Sequence, residues 1–228
     1  MDVVYPYRKS RWCELKYSLR SLKHIDCDNV YIIGELPEYI NERKVKFIPQ
    51  EKKRGRNTYD VVEKLLTMCD VDELSEDFIL MNDDFYFLCD QKIEQLDFGL
   101  LSDHISRRKN DGYKKTLKIT YQKLREWFPP IKIKSYEVHY PIILNKKKFK
   151  KVFSNGYHKD NVVWRSIYGN KIGIDSKTVE EDFKFRKYNE LEDKKNKRLL
   201  SSPPRIKRKL EEVLRSKLPK KSIYEVEK

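Results

Sequence analysis

An open, mostly parallel α/β sheet is the fold class that the order of the residues predicts, and three observations predict it. Short runs of β-branched and aromatic residues recur early in the chain, at Val3–Tyr5, Val30–Ile33 and Val45–Ile48. Between the first two, Trp12, Leu15, Leu19 and Leu22 recur at helical spacing. Each run also ends on a breaker: Pro6, then Gly34 with Pro37, then Pro49. Strand, helix, strand, loop, strand is the opening of a sheet with right-handed crossovers.

The remaining elements follow in order. The first helix is expected over residues 11–23. A basic turn from Lys52 to Arg56 leads to Asn57 and Thr58, either of which can cap a helix whose apolar face is Val61, Val62, Leu65, Leu66 and Cys69. Phe78–Met81 is the most hydrophobic strand candidate. It runs straight into Asn82-Asp83-Asp84 and then into a second apolar run, Phe85–Leu88. A basic helix is expected from Thr116 to Trp127, ended by Pro129-Pro130. Ser135–Leu144 is rich in Tyr, Val and Ile. A Lys-rich helix over 146–153 and another over 160–169 follow. Ser201-Ser202-Pro203-Pro204 breaks the chain before a basic amphipathic helix near Ile206–Leu218. The predicted organisation is a main domain over 1–188, with a basic helical insertion at about 104–134, and a basic helical extension over 189–228.

Composition narrows the function classes. The 228 residues are 39% hydrophobic, with 15 Tyr and 10 Phe, enough apolar material for a sizeable core and against general disorder. No apolar run approaches the ~18 residues that a membrane span requires, and the start lacks a signal-peptide layout, so no membrane insertion is expected. The four cysteines show no CxxC spacing, which argues against a zinc ribbon or a disulfide scaffold and fits a cytoplasmic location. No GxGxxG and no Walker loop is present, so neither a dinucleotide dehydrogenase nor a P-loop kinase is supported. The net charge of +14 is concentrated. Residues 104–159 hold 16 Lys and Arg against 3 Asp and Glu, whereas residues 1–103 hold 15 against 21. That block and the basic tail point to a polyanionic partner such as DNA, RNA or anionic lipid. Tyr113, Tyr121, Trp127 and Phe128 interleave with its cations and could stack on bases or pack as ordinary helix.

Adjacent carboxylates at the end of a buried strand need a reason. Two like charges a few ångströms apart raise each other's pKa unless a cation lies between them. The carboxyl end of a strand in an open α/β sheet is where ligands bind. Oxygen donors from Asp83, Asp84 and Asn82 suit Mg²⁺ or Mn²⁺, which takes the rest of its shell from water and phosphate. Arg8, after the first strand, is placed to meet a nucleotide, as is the neighbouring Tyr5. Arg54, Arg56 and Asn57 could approach a diphosphate at a helix start.

Asp77–Leu88, DFILMNDDFYFL, resembles the second conserved region of the Stealth family of sugar-phosphate transferases and of related bacteriophage-encoded glycosyltransferases. The opening residues Asp2–Arg8, with Glu14-Leu15 and Tyr17–Leu22, are similar to the start of the phage members. Tyr136–Pro141 resembles the family's H-x-P element, and Arg165–Asn170 its Arg-containing helix. The matches run in order from residue 2 to about residue 170. The resemblance implies a GT-A-like nucleotide-binding sheet and a metal-dependent transfer from a nucleotide-sugar donor, such as a UDP-sugar. It also implies that Asp83 and Asp84 are the metal and diphosphate pair, supported by Asn82. His139 is implied as a residue that binds metal or phosphate or acts as acid or base, and Arg165 as a cation for the leaving phosphate. Asp160 is a second candidate base. Hydroxymethylated pyrimidines in DNA are the expected acceptor; the alternatives are a Stealth-like sugar-1-phosphate transferase or glycosyltransferase acting on a cell-surface polysaccharide, and a non-enzymatic DNA-binding protein. The opening YPYR is shorter than the aromatic, Asp-containing motif usual in Stealth proteins, which tilts the expectation toward the phage branch.

Overall fold

The computed structural model describes residues 1–10, 12–53, 57–127, 132–185, 198–201 and 207–226. The strands are β1 (Asp2–Tyr7), β2 (Val30–Gly34), β3 (Lys46–Pro49), β4 (Asp77–Leu80), β5 (Phe85–Phe87), β6 (Leu96–Asp97), β7 (Ile142–Asn145), β8 (Lys177–Thr178) and β9 (Leu199–Ser201). The helices are α1 (Glu14–Ser21), α2 (Asn57–Met68), α3 (Leu101–Arg107), α4 (Gly112–Trp127), α5 (Lys146–Phe153), α6 (Trp164–Ile172) and α7 (Lys207–Lys217). A central five-stranded sheet has the order β3-β2-β1-β4-β7. Its first four strands are parallel, and β7 runs antiparallel on β4. The expected α/β class with a central sheet flanked by helices is present.

Alternation along the strands decides what each face carries. Val4, Tyr31, Ile33, Phe78 and Leu80 project to one side, into a core shared with α2, α4, α5 and α6. Val3, Tyr5, Tyr7, Ile32 and Ile79 project to the other, against Leu15, Leu19 and Leu22 of the α1 region. Buried on both sides, these strands read in the sequence as continuous apolar runs rather than alternating ones.

Where it is described, the 189–228 extension docks on the rest of the chain: β9 pairs antiparallel with β5. Leu210 and Leu214 of α7, and Leu218 just after it, pack with Tyr17, Tyr86, Phe185 and Leu200. Arg20 also holds Glu225 through two N–H donors at 2.7 and 2.8 Å. The helix expected over 160–169 begins only at Trp164, because Gly156 (φ 76°) opens a short 3₁₀ turn over Tyr157–Lys159. From the Ser135–Leu144 stretch only Ile142–Leu144 join the sheet, as part of β7. Pro141 lacks an N–H for the ladder, and the residues before it cross the sheet's carboxyl edge.

Gly34 closes β2 at φ 121°, and a Cβ there would stand 2.1 Å from the Tyr7 carbonyl oxygen. Gly34→Ala is therefore expected to lower stability by at least about 2 kcal/mol, read as a shift of the denaturant midpoint.

Candidate functional site

From β1 the chain builds β2 and β3 to one side, then returns to lay β4 on the other. The carboxyl ends of β1 and β4 thus form the switch point at which an open α/β sheet leaves a crevice. A cavity of about 290 Å³ opens there, lined by Thr58 from the first turn of α2, Asn82, Tyr113, Glu137, His139 and Arg165.

Asn82-Asp83-Asp84 forms the turn from β4 into β5, closed by the Phe85 N–H donating to the Asn82 carbonyl at 3.2 Å. Ser18 braces the same carbonyl at 3.3 Å and shares a hydrogen bond of 2.9 Å with the Tyr5 hydroxyl. Asp84 accepts from the Ser201 hydroxyl at 3.1 Å and faces the Lys184 ammonium at 3.8 Å. Asp83 is pushed up to about 7 by burial, with the negative charges of Asp84 and Glu14 adding to it. A carboxyl that holds its proton more tightly when folded stabilises the fold at low pH. Stability then falls as pH rises from its ordinary 3.8 toward 7. In metal-free buffer this decline is expected in a series of thermal melts, and Asp83→Asn is expected to flatten it.

The opposite wall carries a second charged group. The Asp182 carboxylate grips His139 at two points, accepting from its backbone N–H at 3.0 Å and meeting Nδ1 at 2.7 Å. Despite burial, the Asp182 carboxyl is held low, chiefly by the His139 hydrogen bond. An ionised carboxylate can only accept, so Nδ1 carries a proton toward Asp182 and Nε2 is the ring nitrogen turned away from it. Arg165 donates to the Val138 and Tyr140 carbonyls at 3.0 and 2.7 Å, pinning the 138–140 segment that bears His139. Burial pulls the Arg165 guanidinium below its usual range, while Glu137, Asp84 and Asp182 pull it back up. The negative charge of Asp84 is thus felt at Arg165. Glu137 accepts from the N–H and hydroxyl of Ser166 at 3.1 and 3.0 Å, at the start of α6.

The residues singled out from the sequence divide accordingly. Asn82, His139 and Arg165 meet at the cavity, and Asp83 and Asp84 stand in the turn beside it. Tyr5 does not line the cavity: it is 1% exposed and acts through Ser18. Arg8 lies in a second depression, with Lys9, Ser10, Glu35 and Leu36, at the ends of β1 and β2. Asp160 is exposed, ion-paired with Lys123 and absent from the cavity lining. Arg54, Arg56 and the side chain of Asn57 lie outside the described residues. Sequence reasoning missed Asp182, which sits in the acidic run Glu180-Glu181-Asp182 with no periodicity to mark it, and it gave no role to Glu137, Lys184 or Ser201.

No family model matches the chain, and no curated protein is significantly similar to it. No helix among the described residues is long and apolar enough to cross a membrane. Among those residues, no group of three His, Cys, Asp or Glu side chains is placed to hold a metal ion. The donor set at the turn is two carboxylates and one amide oxygen, all hard oxygen ligands. Burial first, and then the charges of Asp84 and Glu14, make an ionised Asp83 costly in this turn. Oxygen donors of this kind are the ones that Mg²⁺ and Mn²⁺ take.

Proposed function

We propose that this chain is a glycosyltransferase that moves a sugar from a nucleotide-sugar donor to a hydroxyl acceptor. The observation that carries the reading is the meeting, at one cavity at the switch point, of Asn82 from the Asn82–Asp84 turn with a His139 oriented by Asp182. Asp83, Asp84 and Asn82 would hold Mn²⁺ or Mg²⁺, which supplies charge neutralisation for the departing nucleoside diphosphate. The chain's own residues do the rest. His139 Nε2 takes the proton of the acceptor hydroxyl as its oxygen bonds to the anomeric carbon. The bond from that carbon to the diphosphate oxygen breaks, its electron pair leaving with the diphosphate. Arg165 keeps the 138–140 segment in place and adds positive potential where the phosphate charge grows. Arg8 and its depression, at the ends of β1 and β2, would take the nucleoside.

The acceptor we favour is a hydroxymethylated pyrimidine in DNA, supported by the excess of Lys and Arg over residues 104–159. The test is a transfer assay with a panel of labelled nucleotide sugars and Mn²⁺, on hydroxymethylated and unmodified DNA. Transfer confined to hydroxymethylated DNA is expected. Donor hydrolysis without transfer would move the acceptor to a glycan, and inertness toward every donor would end the transferase reading. Asp182→Asn, which frees the imidazole to take the other tautomer, is expected to lower kcat on the order of 100-fold with KM little changed.

A further inference from the structure

The helices on the cavity side of the sheet carry a charge pattern that the transfer chemistry leaves unused. α4 and α5 both pack on α6, which is largely buried, and all three share the core on one face of the sheet. Their outer surfaces therefore turn away from the sheet on the same side. Lys115 and Lys118 of α4, Lys148 and Lys151 of α5, and Lys159 in the turn before α6 are all exposed. None of the five has an ion-pair partner among the described residues, whereas Lys123, Lys147 and Lys150 are paired with acids. Lys115, Lys118 and Arg125 recur at the spacing of one helical stripe, spread over about 15 Å of α4.

Aromatic rings stand among these cations. Trp127 and Tyr157, both half-buried, lie with ring centroids 4.2 Å apart. Lys171 sits 4.3 Å from the Tyr157 centroid, and Arg125 caps Tyr121 at 5.9 Å. The large hydrophobic residues exposed among the described residues are Met1, Leu100 and Ile223, none of them in α4, α5 or the Tyr157–Lys159 turn. A surface that seats on lipid needs apolar side chains to sink into the acyl boundary. A fixed array of unpaired cations with flanking rings is instead the footprint of a nucleic-acid backbone.

We propose that the outer face of α4, α5 and the Tyr157–Lys159 turn is a docking surface for the phosphates of duplex DNA. Tyr113, near the start of α4, lines the cavity, so a duplex lying along α4 would lead to its mouth. The docking surface stands on the charge array alone. Only its use, to present a base to the cavity, rests on the transferase reading.

The experiment measures the affinity of the full chain for a labelled DNA duplex by fluorescence anisotropy over a range of KCl concentrations. Six cations, the five lysines and Arg125, predict a slope of log Kd against log salt of about 5. A variant carrying Lys115→Gln, Lys118→Gln, Lys148→Gln and Lys151→Gln is expected to lose about 4 from that slope and at least about 100-fold in affinity. All four residues are exposed, so its melting curve and its donor hydrolysis are expected to match the parent. Equal duplex affinity for parent and variant would overturn the proposal. So would binding to phosphatidylserine vesicles or dextran sulfate as tight as binding to the duplex, the first marking a membrane surface and the second a generic polyanion site. Loss of duplex binding in the variant, with a parent inert toward every sugar nucleotide, would keep the surface and discard the transferase. Donor hydrolysis by a parent that does not bind the duplex would do the reverse.

Discussion

Asp84→Ala is expected to lower sugar transfer by about 1000-fold or more, with duplex binding unchanged. Asp84 stands between three groups of the site: the Ser201 hydroxyl, the Lys184 ammonium and, through its field, Arg165. Its removal leaves Asp83 as the remaining carboxylate of the turn. A single carboxylate has little hold on a Mg²⁺ or Mn²⁺ ion that already gives up water reluctantly, and loss of charge stabilisation on a leaving group costs several kcal/mol of barrier. Asp83 also loses the negative neighbour that helps to raise its pKa, so it should ionise at lower pH in the variant. The readouts are a transfer assay and the thermal shift on adding Mn²⁺, which is expected to vanish. A variant that transfers sugar at the parent rate would remove the turn from the chemistry.

Glu137→Ala is expected to be the most destabilising change at the site. The carboxylate does two jobs at once. It accepts from the Ser166 N–H in the first turn of α6, where a negative charge meets the helix dipole favourably. Burial depresses the pKa of Arg165, and of the charges around it Glu137 does most to hold it up. Removing a cap costs about 1 kcal/mol, and taking from a half-buried guanidinium the acid that most favours its charge costs more. Together they are expected to take about 3 kcal/mol from the folding free energy, a fall of roughly 6–12 °C in Tm for a chain of this length. Glu137→Gln keeps an oxygen for Ser166 and is expected to lose about half as much. If both variants melt with the parent, Glu137 is not what steadies Arg165.

How legible all this is in the sequence depends on the range of the interaction. β1, β2 and β4 can be read directly because strands covered on both faces become unbroken apolar runs, and the breakers fix their ends. The Asn82–Asp84 turn is legible for the same reason: it interrupts such a run where nothing structural asks for carboxylates. His139 and Arg165 are singled out separately, on a local pattern for each, and the fold brings them to one cavity by running residues 135–140 across the sheet's carboxyl edge. Asp160 illustrates the opposite case. It lies a few residues before α6, yet the Gly156 turn leaves it outside, in contact with Lys123. Asp182 was invisible because its partner is 43 residues away and its neighbours are also acidic. Tyr5 misleads through chemistry rather than range: in a doubly covered strand its hydroxyl finds Ser18 inside the protein instead of a ligand.

The partners of Asp84 have a consequence for how the protein acquires its shape. Ser201 is 117 residues further along the chain, and Lys184 is 100 residues further. Contacts of such sequence separation are slow to form, since a long loop must be closed before they repay it. During synthesis Asp83 and Asp84 leave the ribosome well before either partner exists. A nascent chain that has already paired β1 with β2 and β4 would hold its two carboxylates without the hydroxyl and the ammonium that later steady them. The sheet is thus free to assemble early from local crossovers, while the turn at its edge sets last, when β9 docks beside β5.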